Sequence, residues 1–248
     1  MDTVLGRAGL DPRHGPAFVV VGVFDGLHLG HAYLLEQLVT VAGGHGARPT
    51  VITFDAHPDA VLTGHAPPLL MDPDERLERL AVAGIETVVI EHFDDALRLT
   101  PYDVFVRGIS SRTGLAGILM TPDAAFGHER AGTPETVAAL GARDGFEVVV
   151  VPPFGLDGRE VRSSEIRAAI AAGSLEDAER LLGRPYAVVG DADGGGHVTF
   201  RMPVALPPSG EYPIAGAGRV TVTDAGTIEL AGTTAPGRIR LEFQPGTG

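Results

Sequence analysis

Residues 17–31 read Ala17-Phe-Val-Val-Val-Gly-Val23 and then Phe24-Asp-Gly-Leu-His28-Leu-Gly-His31. The first half is an unbroken apolar run of mostly β-branched residues. It has no polar alternation, so it reads as a strand buried on both faces. Such strands belong to parallel sheets covered by helices. The second half sets glycines, an aspartate and two histidines just where the next helix begins. Gly22 and Gly26 permit a tight turn and close approach of a ligand to the backbone. In parallel sheets ligands bind beyond the carboxyl ends of the strands, near the point where strand order reverses. This loop is therefore the first place to look for chemistry.

Outward from it the alternation continues. Helices are expected at 32–42, closed by Gly43 and Gly44, and at 73–83, with Pro73 near its start and Gly84 at its end. Others are expected at 101–111, 134–143, 164–172 and 175–182, and strands at 50–54, 87–91, 115–120 and 146–151. The fold class is α/β: a Rossmann-like doubly wound parallel sheet over residues 1–186. Past Tyr186 the run Gly194-Gly195-Gly196, Pro207-Pro208 and Gly216 break the chain into short pieces. Strands expected at 220–223, 227–230 and 238–243 make residues 187–248 a small β module, and the last few residues are expected to fray.

Composition restricts the chemistry. Among 248 residues there are 32 acidic and 19 basic side chains, a formal net charge of −13, and every basic residue is arginine. Lysine, asparagine, cysteine and tryptophan are absent. A Walker-type phosphate loop and Schiff-base chemistry both need lysine, so they are excluded. Cysteine-ligated zinc, disulfides and cysteine nucleophiles are excluded as well. So acidic a chain lacks the clustered positive charge of a nucleic-acid binder. With 44% hydrophobic and 21% charged residues, a soluble globular protein is expected. The N-terminus has no basic-then-apolar signal pattern, and the longest apolar runs fall far short of a membrane span. The expected location is cytoplasmic, with no membrane partner. A polyphosphate would have to be neutralised by histidine, arginine, helix N-termini and a divalent metal.

His28 and His31 lie where helix amides attract anions, and both imidazoles can donate hydrogen bonds to phosphate oxygens, whether neutral or protonated. A second constellation is Val161-Arg162-Ser163-Ser164-Glu165-Ile166-Arg167. Either serine can cap the helix that follows, and Arg167 projects one turn in. Asp72, Asp74, Glu75 and Glu78 read as a helix first turn plus a solvated face. Glu91, Asp94 and Asp95 read as exposed carboxylates. His14, His45, His65 and His197 read as surface residues, and Asp191 and Asp193 as part of a turn.

The string G-x-F-D-G-x-H-x-G-H with a downstream S-S-x-x-I-R-type segment resembles the nucleotidyltransferase superfamily. Thr53-Phe54-Asp55-Ala56-His57-Pro58, Phe126-Gly127-His128-Glu129-Arg130-Ala131-Gly132 and Leu181-Leu182-Gly183-Arg184-Pro185-Tyr186 narrow it. Together they resemble the bacterial bifunctional riboflavin kinase/FMN adenylyltransferase (FAD synthetase) family, over roughly residues 17–190. The resemblance implies adenylyl transfer from ATP to FMN with Mg2+, without a covalent enzyme intermediate. By position, His28, His31 and Arg167 would be catalytic, and Gly22, Phe24, Asp25, Gly30, Ser163 and Ser164 would bind nucleotide. His57, Asp123 and Phe126 would face the flavin. No residue is assigned as a metal ligand.

Departures from the family pattern are local. Arg162 stands where the second motif has its first serine, and Glu165 where it has an arginine. Ala124 and Ala125 replace an aromatic and an arginine, and Ala56 replaces a proline. The family's kinase motif G-x-P-T-A-N is missing, so the module at 187–248 reads as a degenerate riboflavin-kinase-like barrel. The leading expectation is FMN adenylyltransferase without kinase activity. A transferase with another phosphate acceptor, or a non-catalytic nucleotide- or flavin-binding paralogue, are the alternatives.

Overall fold

The computed structural model describes residues 1–216 and 218–244. The expected fraying end falls on 245–248, outside the described residues. The chain forms two compact units. Met1–Phe24, His31–Ala66 and Leu77–Phe154 make the first; Asp25–Gly30, Pro67–Arg76 and the described residues from Gly155 onward make the second. In chain order the elements are β1 (Asp2–Leu5), β2 (Ala17–Val21), α1 (Leu29–Gly44), β3 (Arg48–Phe54), α2 (Asp59–Leu62), α3 (Pro73–Val82) and β4 (Thr87–Glu91). There follow α4 (Asp95–Arg98), α5 (Tyr102–Thr113), β5 (Leu115–Met120), α6 (Pro134–Asp144) and β6 (Glu147–Val150).

In the first unit β1 to β6 form one parallel sheet in the order β1-β4-β3-β2-β5-β6. From β2 the chain winds outward through β3 and β4, then returns to β2's other side through β5 and β6. This is the doubly wound arrangement, and its switch point lies between β2 and β5. The apolar run that announced β2 lies at the centre of the sheet between β3 and β5, and Phe18 and Val19 are completely inaccessible. Gly117 on β5 is required by Phe18, since a Cβ there would sit 2.4 Å from the ring. Phe105, Val106 and Ile109 of α5 and Val137 and Leu140 of α6 pack in one cluster with Val19, Ile52, Val89 and Ile118 of the sheet. Thr133 and Thr136 cap α6 reciprocally, Pro134 opens it, and Gly145 in the left-handed conformation closes it.

The segment before β2 was not anticipated. β1 adds to the sheet edge, Asp2 opposite Thr87 and Leu5 opposite Ile90. It has one buried side chain, Val4, while Leu5 is exposed, so no hydrophobic pattern announces it. The same segment overturns two expectations. Glu91 is buried, not exposed, because its carboxylate accepts hydrogen bonds from the Arg7 backbone N–H at 2.7 Å and from Arg7 Nη1 at 2.9 Å. His14 is buried rather than on the surface, its Nδ1 accepting from the Asp11 N–H in a capping box.

The second unit contains a short hairpin, β7 (Gly155–Leu156) with β8 (Arg159–Glu160), then α7 (Ser163–Ala171) and α8 (Leu175–Leu182). Its remaining strands are β9 (Ala187–Ala192), β10 (His197–Thr199), β11 (Gly210–Ile214), β12 (Gly218–Val222), β13 (Ile228–Leu230) and β14 (Gly237–Glu242). They form an antiparallel sheet ordered β11-β12-β13-β10-β9-β14. The sheet curls until its outer strands meet: Ala215 N–H donates to Glu242 O and Gln244 N–H to Pro213 O. Val198, Val220, Val222, Ile228, Leu241 and Phe243 fill the interior. The expected turn at Asp193 is present, its carboxylate accepting from the Gly195 and His197 N–H groups.

The acidic start of α3 is the helix first turn expected, with Asp74 and Glu78 exposed, but Asp72 and Glu75 are half-buried and engaged. Asp72 accepts from the N–H groups of Asp74 and Glu75 and pairs with Arg238 of β14, and Glu75 lies 3.5 Å from Arg240. No helix among the described residues is long and apolar enough to cross a membrane.

Candidate functional site

The loop after β2 has an unusual backbone. Phe24, Gly26 and Leu27 have φ of 53°, 80° and 39°. The left-handed region costs a side-chain-bearing residue about 1–2 kcal/mol, so the loop must be held from outside. Within the second unit Arg184 supplies the hold: its Nη2 donates to Gly26 O at 2.5 Å and its Nη1 to Leu27 O at 3.0 Å. One planar fork satisfies two loop carbonyls, a geometry that lysine's point charge does not offer.

Asp25 is 3% exposed. Its carboxylate accepts from the Leu70 N–H with each oxygen at 3.0 Å and from Arg167 Nη2 at 2.5 Å. Ser163 Oγ donates to the Asp25 carbonyl at 3.1 Å. The serines therefore do not cap α7 with their side chains as expected. Its N-cap is Arg162, which makes no side-chain cap and pairs with Glu160 at 2.6 Å. Both serines lie inside the first turn, where their backbone amides belong to the helix N-terminus. Arg167 Nε also donates to Pro68 O at 2.8 Å, so its guanidinium is already organised by the protein.

His28 is 4% exposed. Gly30 is closely packed from two directions, since a Cβ there would lie 3.1 Å from both the His28 ring and the Val161 carbonyl. Burial, then the nearby charges of Arg184 and Arg167, pull the His28 pKa down to about 4. The imidazole is therefore neutral near pH 7, and its contribution is directional hydrogen bonding, not charge. In the unfolded chain histidine titrates near 6.5. Between about pH 6.5 and 4 the unfolded state takes up a proton that the folded state refuses, so stability falls as the pH drops through that window. The full effect is on the order of 3 kcal/mol. Urea unfolding at pH 7 and pH 4.5 should show a smaller acid loss for His28→Gln than for the parent; equal losses would contradict this.

In the first unit, His31 stands in the first turn of α1 with its ring 5.1 Å from that of Phe24. A Cβ at Gly22 would approach the Phe24 ring to 3.0 Å. His57 Nδ1 accepts from the Asp59 N–H, and Asp123 accepts from Thr121 Oγ1 at 2.8 Å. Phe126 packs on Phe105 at 5.6 Å and pairs in a bridge with Gly132. The structure thus gathers Asp25, His28, Gly30, Ser163 and Arg167 in one cluster, whereas His57, Asp123 and Phe126 each engage partners of their own. Sequence reasoning missed Arg184, Leu70 and Arg76 as parts of the cluster. Arg76 is 8% exposed and feels the charges of Asp25 and Asp72. Arg184 carried a signal, the L-L-G-R-P-Y string, but not its role.

A doubly wound parallel sheet whose central strand leads into a glycine-rich, histidine-bearing loop at the switch point defines the class as an open α/β protein with a ligand loop. The chain belongs to the FAD synthetase family, whose profile matches residues 10–165. The bifunctional riboflavin kinase/FMN adenylyltransferase of Pseudomonas fluorescens is 30% identical over 191 residues, 77% of this chain and 61% of that protein. A FAD synthetase of Listeria monocytogenes is 28% identical over 216 residues, 86% of this chain and 87% of that one. Against three bifunctional relatives the chain spans 55–61% of their length. A crystal structure of a macrolide-efflux protein from Streptococcus pneumoniae superposes with a TM-score of 0.80, at 21% identity, over 98% of this chain and 90% of that one. At that identity the likeness speaks for the fold.

Proposed function

We propose that this protein is an FMN adenylyltransferase that lacks riboflavin kinase activity. The observation that carries the reading is the cluster at the loop, where Asp25 is tied to Arg167 and Ser163 and the buried His28 packs against Gly30 beside the start of α7. An FMN phosphate oxygen attacks the α-phosphorus of ATP, the bond to the pyrophosphate oxygen breaks, and FAD and pyrophosphate leave. Such catalysis consists of positioning and of donors aimed at developing negative charge. His28 and His31 donate to the phosphates, and Arg167 adds fixed charge. Gly22, Phe24, Asp25 and Gly30 shape the loop. Ser163 and Ser164 bring the α7 N-terminus, and His57, Asp123 and Phe126 serve the flavin side. Among the described residues no group of three histidines or carboxylates could hold a metal ion, and the Asp25 carboxylate is committed to Leu70 and Arg167. On this reading Mg2+ enters with the substrate, as the ATP chelate.

On this reading residues 1–186 carry the transfer and 187–248 descend from a kinase barrel. The missing G-x-P-T-A-N segment and the complete absence of asparagine support loss of phosphorylation. A different phosphate acceptor is the second reading; Ala124, packed against the core cluster where the family has an aromatic, favours it. Purified protein with MgATP and FMN should yield FAD and pyrophosphate, and with MgATP and riboflavin no FMN. Bound ATP without FAD would reject FMN as acceptor, and FMN made from riboflavin would reject the loss of kinase activity.

A further inference from the structure

The segment Pro68–Asp72 faces two ways. Pro68 O accepts from Arg167 Nε, and the Leu70 N–H is shared by both Asp25 oxygens. Between them, Leu69 turns both backbone groups to the β module: its N–H donates to Pro203 O and its carbonyl accepts from the Ala205 N–H, each at 2.8 Å. Leu69 thus pairs as a one-residue parallel bridge with Val204. Two residues beyond Leu70, Asp72 pairs with Arg238, and Glu75 approaches Arg240. Successive residues of an extended segment point to opposite sides, which is why one short strap serves two sets of partners. Tyr186 completes the attachment, its hydroxyl donating to Ala205 O at 2.5 Å.

We propose that this strap is a positioning device through which the β module holds the Asp25–Arg167 pair in its working geometry, so that the module serves nucleotide binding without touching nucleotide. The proposal rests on the adenylyltransferase reading above. It gives a purpose to a module without kinase residues. Anchoring Leu69 fixes Leu70 and Pro68, and these fix the carboxylate and the guanidinium.

The test loosens the module's grip in the full chain by two routes. Leu69→Pro removes the N–H that pairs with Pro203, and Arg238→Gln combined with Arg240→Gln removes the ionic contacts to Asp72 and Glu75. Amide exchange at Leu70 and Ile228 and the Kd for MgATP are measured in each. The expected result is exchange at Leu70 at least tenfold faster, unchanged exchange at Ile228 in the module interior, and ATP binding weakened about tenfold. Arg238→Lys should restore wild-type values in an otherwise unaltered chain. Unaltered exchange at Leu70 in both variants overturns the proposal, as does acceleration merely in step with Ile228. Faster exchange at Leu70 with undiminished ATP affinity overturns the positioning role. If the parent binds no ATP, the adenylyltransferase reading fails, and the positioning role toward nucleotide falls with it; exchange at Leu70 then decides the strap's attachment separately.

Discussion

His28→Ala is expected to lower adenylyl transfer by about 10²–10³-fold, with far less effect on the folded fraction at pH 7. The size follows from what a preorganised donor contributes to a site where negative charge develops. His28 is neutral because it is buried beside two guanidinium groups, so it offers an N–H without a charge that solvent would otherwise screen. Pre-steady-state measurement of pyrophosphate release, paired with thermal unfolding, separates the two effects. Turnover within about threefold of the parent would remove His28 from the catalytic role. His31→Ala should behave in the same direction.

Arg167→Met is expected to cost about 3–5 kcal/mol of folding stability, because it strands a buried carboxylate. Asp25 keeps its bonds to the Leu70 N–H and the nearby charge of the buried Arg76 in that variant, which places the loss toward the lower end of the range. Adding Asp25→Asn removes the stranded charge, so the double variant should recover a large part of the loss while remaining unable to bind ATP tightly. Urea unfolding of the parent, both single variants and the double variant gives the coupling directly. Additive losses would mean that the pair contributes nothing beyond its separate members.

The sheet was legible because its central strands carry continuous apolar runs and its helices end at Gly44 and near Gly84, signals that do not depend on distant partners. β1 was illegible because a four-residue edge strand with one buried side chain has no period to read. In the module, β12, β13 and β14 were visible as short runs. β9, β10 and β11 were hidden by Gly190, Pro213 and the glycine run, since curled antiparallel strands tolerate residues that a flat pattern search rejects. In the cluster around Asp25, the loop motif exposed Asp25, His28 and Gly30. The work of Arg184 and Leu70 was invisible because it runs through backbone atoms: guanidinium to carbonyl, amide to carboxylate. Such contacts leave no demand on side-chain pattern at the receiving end. The serines misled for a related reason, as a hydroxyl suited to capping a helix was recruited by the Asp25 carbonyl.

The bonds that shape the loop join residues very far apart in the chain. Asp25 meets Arg167 across 142 positions, and Gly26 meets Arg184 across 158. A ribosome adding about 5–20 residues per second therefore presents the loop roughly seven to thirty seconds before its fasteners exist. Until those partners have been made, the loop has nothing to hold Phe24 and Leu27 in their left-handed turns.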